Sequence, residues 1–475
     1  MNKVSLDLQF KGKNILIMGL GINQGGIGAT RFFANSEANV KVTDLKTAED
    51  LKDSIKELEE FSNIEYVLGE HKFEDFDWAD LVLKNADVRP GNKYINYALE
   101  KGKRVETDVS LFLKYVNRDL VIGITGTKGK STTSTLVYEI LRKTLNTPLP
   151  SPLLTGEGTS QLNPKVLLAG NIGKSMLDMI AHVDSDSVVI LELSSAQLTI
   201  FDQNKLSIKR GAVTNIHPDH ISYHGSMEEY VKAKRAVAAY QKQGDLLFLR
   251  KNDATLTSEE FTHGLKAEII YSDTNEILTR NSNGISPVQD DSSKLPEILQ
   301  LEHNLENFAQ AAKISQSFGV AMEDIYAAVK DFQGVEFRQQ VIKVWNGIKI
   351  INDSAGSTPT AAMQALKTYP QSIFIIGGMN KDLDYADMAA FVDQYAKSVY
   401  LFEGTATDDL KQKIKKQELI KGEWHDFEEM LEEIKKEAKD GDTIVLAPGG
   451  TSFNYFQSQY DRGRKFNAAV EKVFN

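Results

Sequence analysis

The chain has 475 residues, enough for two to four domains of roughly 100–200 residues each. Its 41% hydrophobic and 25% charged residues are ordinary for a globular protein. A formal net charge of −11 argues against coating a nucleic acid, whose phosphates attract basic surfaces. The absence of cysteine excludes disulfides, thiolate metal sites and a cysteine nucleophile. The first residues lack the apolar core of a signal peptide, and no run of about 20 apolar residues occurs, so the expectation is a cytoplasmic protein with no membrane partner; composition is silent on assembly, for which a monomer is the expectation.

The first candidate strand, residues 14–18 (NILIM), runs into Gly19-Leu20-Gly21. NVKVTD follows and ends at Asp44; Thr47–Phe61 has a helical pattern, and Leu81–Leu83 and Arg104–Val105 read as further strands. A glycine turn after a strand, with an acidic residue closing the next strand, suits a nucleotide. The full GxGxxG is absent, so a nicotinamide enzyme, a sugar-nucleotide binder and a structural turn all remain open from this loop alone.

A second block opens with Asp119-Leu-Val-Ile-Gly-Ile-Thr, followed by Gly126-Thr127-Lys128-Gly129-Lys130-Ser131-Thr132 and a helix. Glycines let backbone N–H groups turn towards phosphate oxygens; Lys130 would reach the terminal phosphates and the Ser131 hydroxyl could hold Mg²⁺. Ile124 stands where the general phosphate-loop pattern has its first glycine, so this is a shortened GxxGK[ST] form. Lys143–Pro164, rich in Pro, Ser, Thr and Gly, reads as a surface loop; strands are expected at Lys165–Leu168, Ser187–Leu191 and Gly211–Thr214. Glu192 ends the second of these, where parallel sheets place ligands, and could coordinate Mg²⁺. Three of the eight histidines, His217, His220 and His224, fall within eight residues after the next strand. Metal or phosphate binding fits them; no zinc spacing and no GxSxG elbow accompanies them. Residues 228–235 read as a helix carrying Lys234, and Asn304–Gln316 as another.

The last block alternates again, with strands expected at Ile348–Ile351, Ile373–Ile376, Ser398–Leu401 and Thr443–Leu446 and a charged helix at Phe427–Lys439. The whole reads as α/β, with three domains at 1–117, 118–334 and 335–475.

In order, GTKGKST, AGNIG (169–173), ELSSAQL (192–198), TNIHPDH (214–220), EYVKAK (229–234), HNLEN (303–307), VEFRQQ (335–340), NDSAGST (352–358), GGMNK (377–381) and APGGTSFNYF…RGRKF (447–466) resemble the Mur ligases over about residues 14–466. Folylpolyglutamate synthetases share the later blocks but lack the roughly 120 residues that precede the phosphate loop here. The resemblance implies a three-domain architecture: a Rossmann-like UDP-sugar domain, a central ATPase domain and a Rossmann-like C-terminal domain. Ser131, ELSSAQL and the RGxxF ending are similar to the branch that adds D-glutamate to UDP-N-acetylmuramoyl-L-alanine for peptidoglycan. That branch uses ATP and Mg²⁺, two ions here, through an acyl phosphate.

The resemblance also assigns roles. Lys130 would stabilise the transferring phosphoryl group; Ser131, Glu192 and His220 would hold metal, joined by Lys234 if carbamylated. Gly126 to Thr132, Asn307, Arg338 and Asp353 would bind ATP. Gly19, Leu20, Gly21, Asp44, Asn171 and His220 would bind the UDP substrate, and Ser357, Lys381, Ser452 and Phe456 the amino acid. Departures fall at Ala355, where lysine is usual, at Gln459, where an aromatic is expected, at an apparent insertion over Asn23–Gly26, and at Val-Arg-Pro-Gly (88–91), where the family has Ser-Pro-Gly. A related ligase with another amino acid, an oxidoreductase built on residues 19–21 and 44, and an inactive nucleotide-binding paralogue are the competing readings.

Overall fold

A computed structural model describes residues 9–21, 24–145, 164–171, 175–281, 284–287, 295–380, 383–452, 455–456 and 458–475. Backbone packing divides the chain into two compact units, Met1–Asp331 and Phe332–Asn475.

The first unit contains two all-parallel sheets. Strands β1 (Asn14–Met18), β2 (Asn39–Asp44), β3 (Ile64–Leu68), β4 (Leu81–Lys84) and β5 (Arg104–Glu106) are ordered 3-2-1-4-5, with helix α1 (Gln24–Asn35) crossing from β1 to β2. The strand order reverses between β1 and β4, which opens the ligand crevice of a doubly wound sheet at their carboxyl ends. The second sheet comprises β6 (Val121–Thr125), β7 (Val166–Gly170), β8 (Val188–Glu192), β9 (Arg210–Val213), β10 (Leu246–Arg250) and β11 (Glu268–Ser272), ordered 11-10-9-6-8-7. Helices α2 (Lys130–Thr144), α3 (Ser195–Asn204), α4 (Ile221–His224), α5 (Met227–Ala239) and α6 (Glu302–Gln316) follow these strands or pack on them. A short antiparallel pair, β12 (Leu278–Asn281) and β13 (Gly284–Pro287), stands apart.

The central strands β6, β8 and β9 are buried along their whole length, which is why they read as unbroken apolar runs. One hydrophobic core joins the two sheets. It includes Ile15, Ile27 and Phe33 from the first sheet and its helix, Val109, Leu111 and Phe112 after it, and Met176, Leu191 and Phe201 from the second. Each such side chain contributes about 1.5–3 kcal/mol on burial.

The second unit is a mixed sheet of β14 (Gln340–Trp345), β15 (Ile348–Asn352), β16 (Ile373–Gly377), β17 (Ser398–Phe402), β18 (Ile420–Trp424) and β19 (Thr443–Gly449), ordered 14-15-19-16-17-18. Only the β14–β15 pair is antiparallel. Helices α7 (Phe427–Glu437) and α8 (Gln459–Val473) cover one face, and a second apolar cluster fills the other.

The helix expected over Thr47–Phe61 shrinks to Lys52–Lys56. Its flanks close instead through i→i−3 bonds, such as Leu58 N–H to Ile55 O and Phe61 N–H to Leu58 O, so the apolar period is met by tight turns. The proposed surface loop between Lys143 and Pro164 lies outside the described residues from 146 to 163, as does Asn23 of the apparent insertion. No helix among the described residues is long and apolar enough to cross a membrane.

Candidate active site

The phosphate loop lies between β6 and α2. Gly126 (φ +140°) and Gly129 (φ +83°) adopt backbone conformations that favour glycine. A Cβ on Gly126 would overlap the Thr214 hydroxyl, and one on Gly129 would overlap Asn307 Oδ1. The loop is held from the next strand's end. Thr127 N–H donates to Asn215 O (2.9 Å), Lys128 N–H to Asn215 Oδ1 (2.8 Å), and Asn215 Nδ2 and the Thr214 hydroxyl both donate to Lys128 O. Thr127 Oγ1 accepts from His217 N–H (2.9 Å) and pairs with the Tyr230 hydroxyl (2.9 Å). The Thr127 side chain is therefore part of the scaffold.

Two lysines converge on one carbonyl of this loop. Lys130 Nζ donates to Gly126 O (3.0 Å) and Thr127 O (2.9 Å), and Lys234 Nζ donates to Gly126 O (2.8 Å). Lys234 lies on α5 and is only 1% exposed. Its amine stands 4.8 Å from the Tyr230 ring, one helical turn earlier. Burial first, and then the charge of Lys130, bring its pKa down to about 7, against a smaller opposing pull from Asp219.

Glu192 ends β8 in register with Ile124 of β6. Its Oε1 accepts from Asn171 Nδ2 (3.2 Å), while Oε2 is buried with no hydrogen-bond partner among the described residues. An orphaned, buried carboxylate oxygen beside a phosphate loop is suited to a hard cation. Among the described residues no three carboxylate or imidazole groups gather into a cation site by themselves. Mg²⁺ is commonly held by one or two carboxylates that share the ion with phosphate oxygens and water. Ser131 is partly buried in the first turn of α2.

The three histidines separate. His220 has a left-handed backbone (φ +51°), its ring is largely exposed, and its Nε2 lies 3.8 Å from Asp219. Lys128 Nζ stands 3.8 Å from the same carboxylate. His217 contributes through its backbone to Thr127, and His224 Nε2 meets Ser195 Oγ at 3.0 Å.

Asn307 is buried on α6. Its Oδ1 accepts from Arg250 and from Thr133 Oγ1 (3.3 Å), and its Nδ2 donates to Asn304 Oδ1 (3.1 Å). Arg250 also pairs with Glu306 at 2.7 Å and, with Asn252, Ser272 and Thr274, lines a small cavity at the carboxyl ends of β10 and β11. Sequence reasoning passed over Arg250, Tyr230 and the Thr214–Asn215 pair. The signal for Arg250 was its place at the end of an apolar run, LLFLR, which the strand reading had missed.

In the crevice of the first sheet, Gly19 and Gly21 have positive φ, and Asp44 accepts from Gly21 N–H (3.0 Å) and Lys46 N–H (3.0 Å). Leu20 is fully buried in the core, so only its backbone faces the crevice. Asn171 is exposed at the neighbouring sheet's edge.

The second unit gathers Asp353, Ser357, Ser452 and Phe456 near the carboxyl ends of β15 and β19. Asp353 accepts from Gln339 N–H (3.1 Å), and burial raises its carboxyl to about 7 despite the charges of Arg338 and Arg462. Arg338 is exposed between Phe337 and Gln339, both of which have positive φ. Ser452 is buried, and its carbonyl accepts from Phe456 N–H. Phe456 stacks on Phe427 (5.5 Å, 22°). Lys381 lies outside the described residues. Gln459, where an aromatic was expected, opens α8 and accepts from the Ser357 hydroxyl (3.1 Å), so a variant position engages an expected amino-acid-binding residue.

Arg462, of the RGxxF ending, ties these loops together. Its Nε donates to Ser354 Oγ (3.1 Å), Nη2 to Ser354 O (2.8 Å) and Nη1 to Gly450 O (3.0 Å). Burial lowers its pKa to about 9, with Asp353 opposing. No other side chain supplies this planar fork. Arg462→Met should therefore destabilise the second unit by about 2–4 kcal/mol. Denaturant unfolding with a probe in that unit measures it, and an unchanged midpoint would show the fork to be dispensable.

The chain matches two families, the Mur ligase middle domain over residues 124–314 and the Mur ligase glutamate ligase domain over residues 337–450. A Roseiflexus sp. (strain RS-1) protein named UDP-N-acetylmuramoylalanine–D-glutamate ligase is 33% identical over 490 residues, covering 98% of this chain and 99% of its own. A Desulfitobacterium hafniense (strain DSM 10664 / DCB-2) protein of the same name is 31% identical over 484 residues, with 98% and 99% coverage. Among solved structures, the UDP-N-acetylmuramate–alanine ligase MurC of Thermotoga maritima aligns with a TM-score of 0.55 at 18% identity, covering 97% of this chain and 99% of that one. The MurF ligase of Thermotoga maritima in complex with ADP gives 0.55 at 14% identity, covering 100% and 99%. The fold is shared with those two structures, and full-length identity above 30% with the first relatives carries the assignment further: the chain belongs to the Mur ligase family.

Proposed function

We propose that this chain joins D-glutamate to UDP-N-acetylmuramoyl-L-alanine, converting ATP to ADP and phosphate, in peptidoglycan precursor synthesis. The observation that carries the chemistry is the convergence of Lys130 and Lys234 on Gly126 O beside the orphaned Glu192 oxygen. A free carboxylate is a poor electrophile. In the proposed path, an acceptor carboxylate oxygen attacks the γ-phosphorus of ATP and ADP leaves. The glutamate amine then attacks the acyl carbon of the acyl phosphate. The tetrahedral adduct loses a proton from nitrogen and expels phosphate, leaving the amide.

The protein's contribution is position and charge. Lys130, turned towards the loop's own carbonyls here, swings onto the γ-phosphate, and the first turn of α2 offers N–H groups to the other phosphate oxygens. Glu192 and Ser131 would hold Mg²⁺, with His220 and a carbamylated Lys234 available to a second ion; bound Mg²⁺ would neutralise charge on the transferring phosphoryl group. Asn307 keeps the phosphate loop's shape through Gly129, and Arg338 and Asp353 take ATP from the second unit. Gly19, Gly21 and Asp44 take the uridine diphosphate, and Asn171 the muramoyl portion. Ser357, Lys381 and Ser452 take the carboxylates of glutamate. The enzyme would act as a cytoplasmic monomer, where nucleotide-sugar and ATP are both present.

The test is phosphate release from ATP and Mg²⁺ with UDP-N-acetylmuramoyl-L-alanine across a panel of D- and L-amino acids. Release dependent on D-glutamate, with a matching amide product, is expected. Release with a different amino acid would retain the ligase and assign the Ser357–Gln459 pair to another side chain. No release with any of them would overturn the reading.

A further inference from the structure

Helix α4 is a single turn, yet it reaches the segment after β4 on one side and helices α3 and α5 on the other. On one side, the Tyr223 hydroxyl donates to Ala86 O (2.8 Å) and lies 3.5 Å from Val88 O, in the segment that follows β4. That segment forms one wall of the crevice between β1 and β4, because Asn85 N–H donates to Met18 O (2.9 Å) and Asn85 Nδ2 to Gly19 O (3.3 Å). Lys84, buried at the end of β4, reaches the same Val88 carbonyl (3.4 Å) from below. On the other side, His224 packs edge-on against Tyr223 (4.8 Å) and Tyr230 (5.4 Å) and meets Ser195 Oγ (3.0 Å), while the Tyr230 hydroxyl pairs with Thr127 of the phosphate loop. The carbonyls that Tyr223 captures lie in the stretch around Val-Arg-Pro-Gly (88–91), where this chain departs from its family's pattern.

We infer that Tyr223 is a positioning residue that clasps the 85–91 segment to the central sheet and so fixes the nucleotide-sugar crevice relative to the phosphate loop. This role presupposes a nucleotide-sugar acceptor in that crevice, as proposed above. Elsewhere in the segment Asn85 O accepts from Val88 N–H, Arg89 O from Asn92 N–H and Gly91 O from Asn96 Nδ2, whereas Ala86 O is tied through Tyr223, so loss of one hydroxyl loosens this part of the crevice wall while leaving the ring, its packing on His224 and the phosphate loop in place.

Tyr223→Phe should raise KM for UDP-N-acetylmuramoyl-L-alanine by roughly three- to tenfold, the range that one hydrogen bond supports, with KM for ATP and for D-glutamate and the melting temperature unchanged. Lys84→Met, which removes the second donor to Val88 O, should shift the same constant and spare the same two. Unchanged acceptor KM in Tyr223→Phe would overturn the inference. So would a parallel shift of all three KM values with a lower melting temperature, which marks a merely structural contact. If the wild-type chain turns over no acceptor, the functional reading fails, and calorimetry with UDP alone decides this one: weaker binding by Tyr223→Phe supports the clasp, and equal affinity rejects it.

Discussion

Lys234→Ala is expected to lower turnover by about 10²–10³-fold or more, with partial recovery when a short carboxylate such as formate or acetate is added. The reasoning starts from burial. An ammonium enclosed beside a second ammonium is costly, and the structure relieves the cost by lowering the Lys234 pKa to about 7. A neutral amine is a nucleophile. Attack on CO₂ forms a carbamate and releases a proton, replacing a cation next to Lys130 with an anion. Such a group can bind metal, which the amine cannot do in its charged form. The sign of the pH dependence follows. Below about 7 the amine is protonated and inert; above it the neutral form grows, so carbamate occupancy in bicarbonate-equilibrated enzyme should rise from pH 6 to 8. Carbon-13 NMR with labelled bicarbonate measures it. Full activity in Lys234→Ala, or occupancy that does not change across that range, would remove the carbamate from the mechanism.

Glu192→Gln should separate activity from stability. The neutral amide keeps an oxygen to accept from Asn171 but loses the charge that Oε2 offers to a cation. Turnover should fall by about 10²–10³-fold, and more Mg²⁺ should be needed for what remains. Without metal, stability should hold or rise, because a buried oxygen with an unmet charge costs free energy in the folded state. Thermal melts in chelator, set beside kinetics at several Mg²⁺ concentrations, test both halves. A variant that melts well below the wild type would mean that the carboxylate serves the fold instead of the metal.

Much of what was legible in the sequence follows the physics of burial, although the buried β10 (LLFLR) was missed. Strands β6, β8 and β16 are enclosed on both faces, so their runs VIGIT, VVILE and IFIIG stand out without any partner in view. Strands β3 (IEYVL) and β18 (IKGEW) lie at sheet edges, where half-exposed positions admit Glu and Lys, and they passed unnoticed. The site divides in the same way. Lys130 and Ser131 announce themselves by local spacing after a strand. The Arg250–Asn307 contact spans 57 residues and the Thr127–Tyr230 contact spans 103, so only the folded sheet brings them together. Lys234 was assigned by resemblance alone; its burial and its carbonyl partner on Gly126 are properties of packing that no spacing rule encodes. Leu20 shows the opposite hazard, since a residue inside a ligand-binding turn can send its side chain into the core.

The core shared by the first two sheets bears on heredity as well as on stability. Val109, Leu111 and Phe112 are packed in one cluster with Met176, Leu177 and Phe201, so a chain divided near residue 117 would leave an apolar wound on each fragment. Recombination at that point yields two damaged pieces, whereas a crossover near residues 331–332 falls between compact units. In this chain the two sheets of the first unit therefore depend on each other for burial, and a cut near residue 117 carries a larger apolar cost than one near residues 331–332.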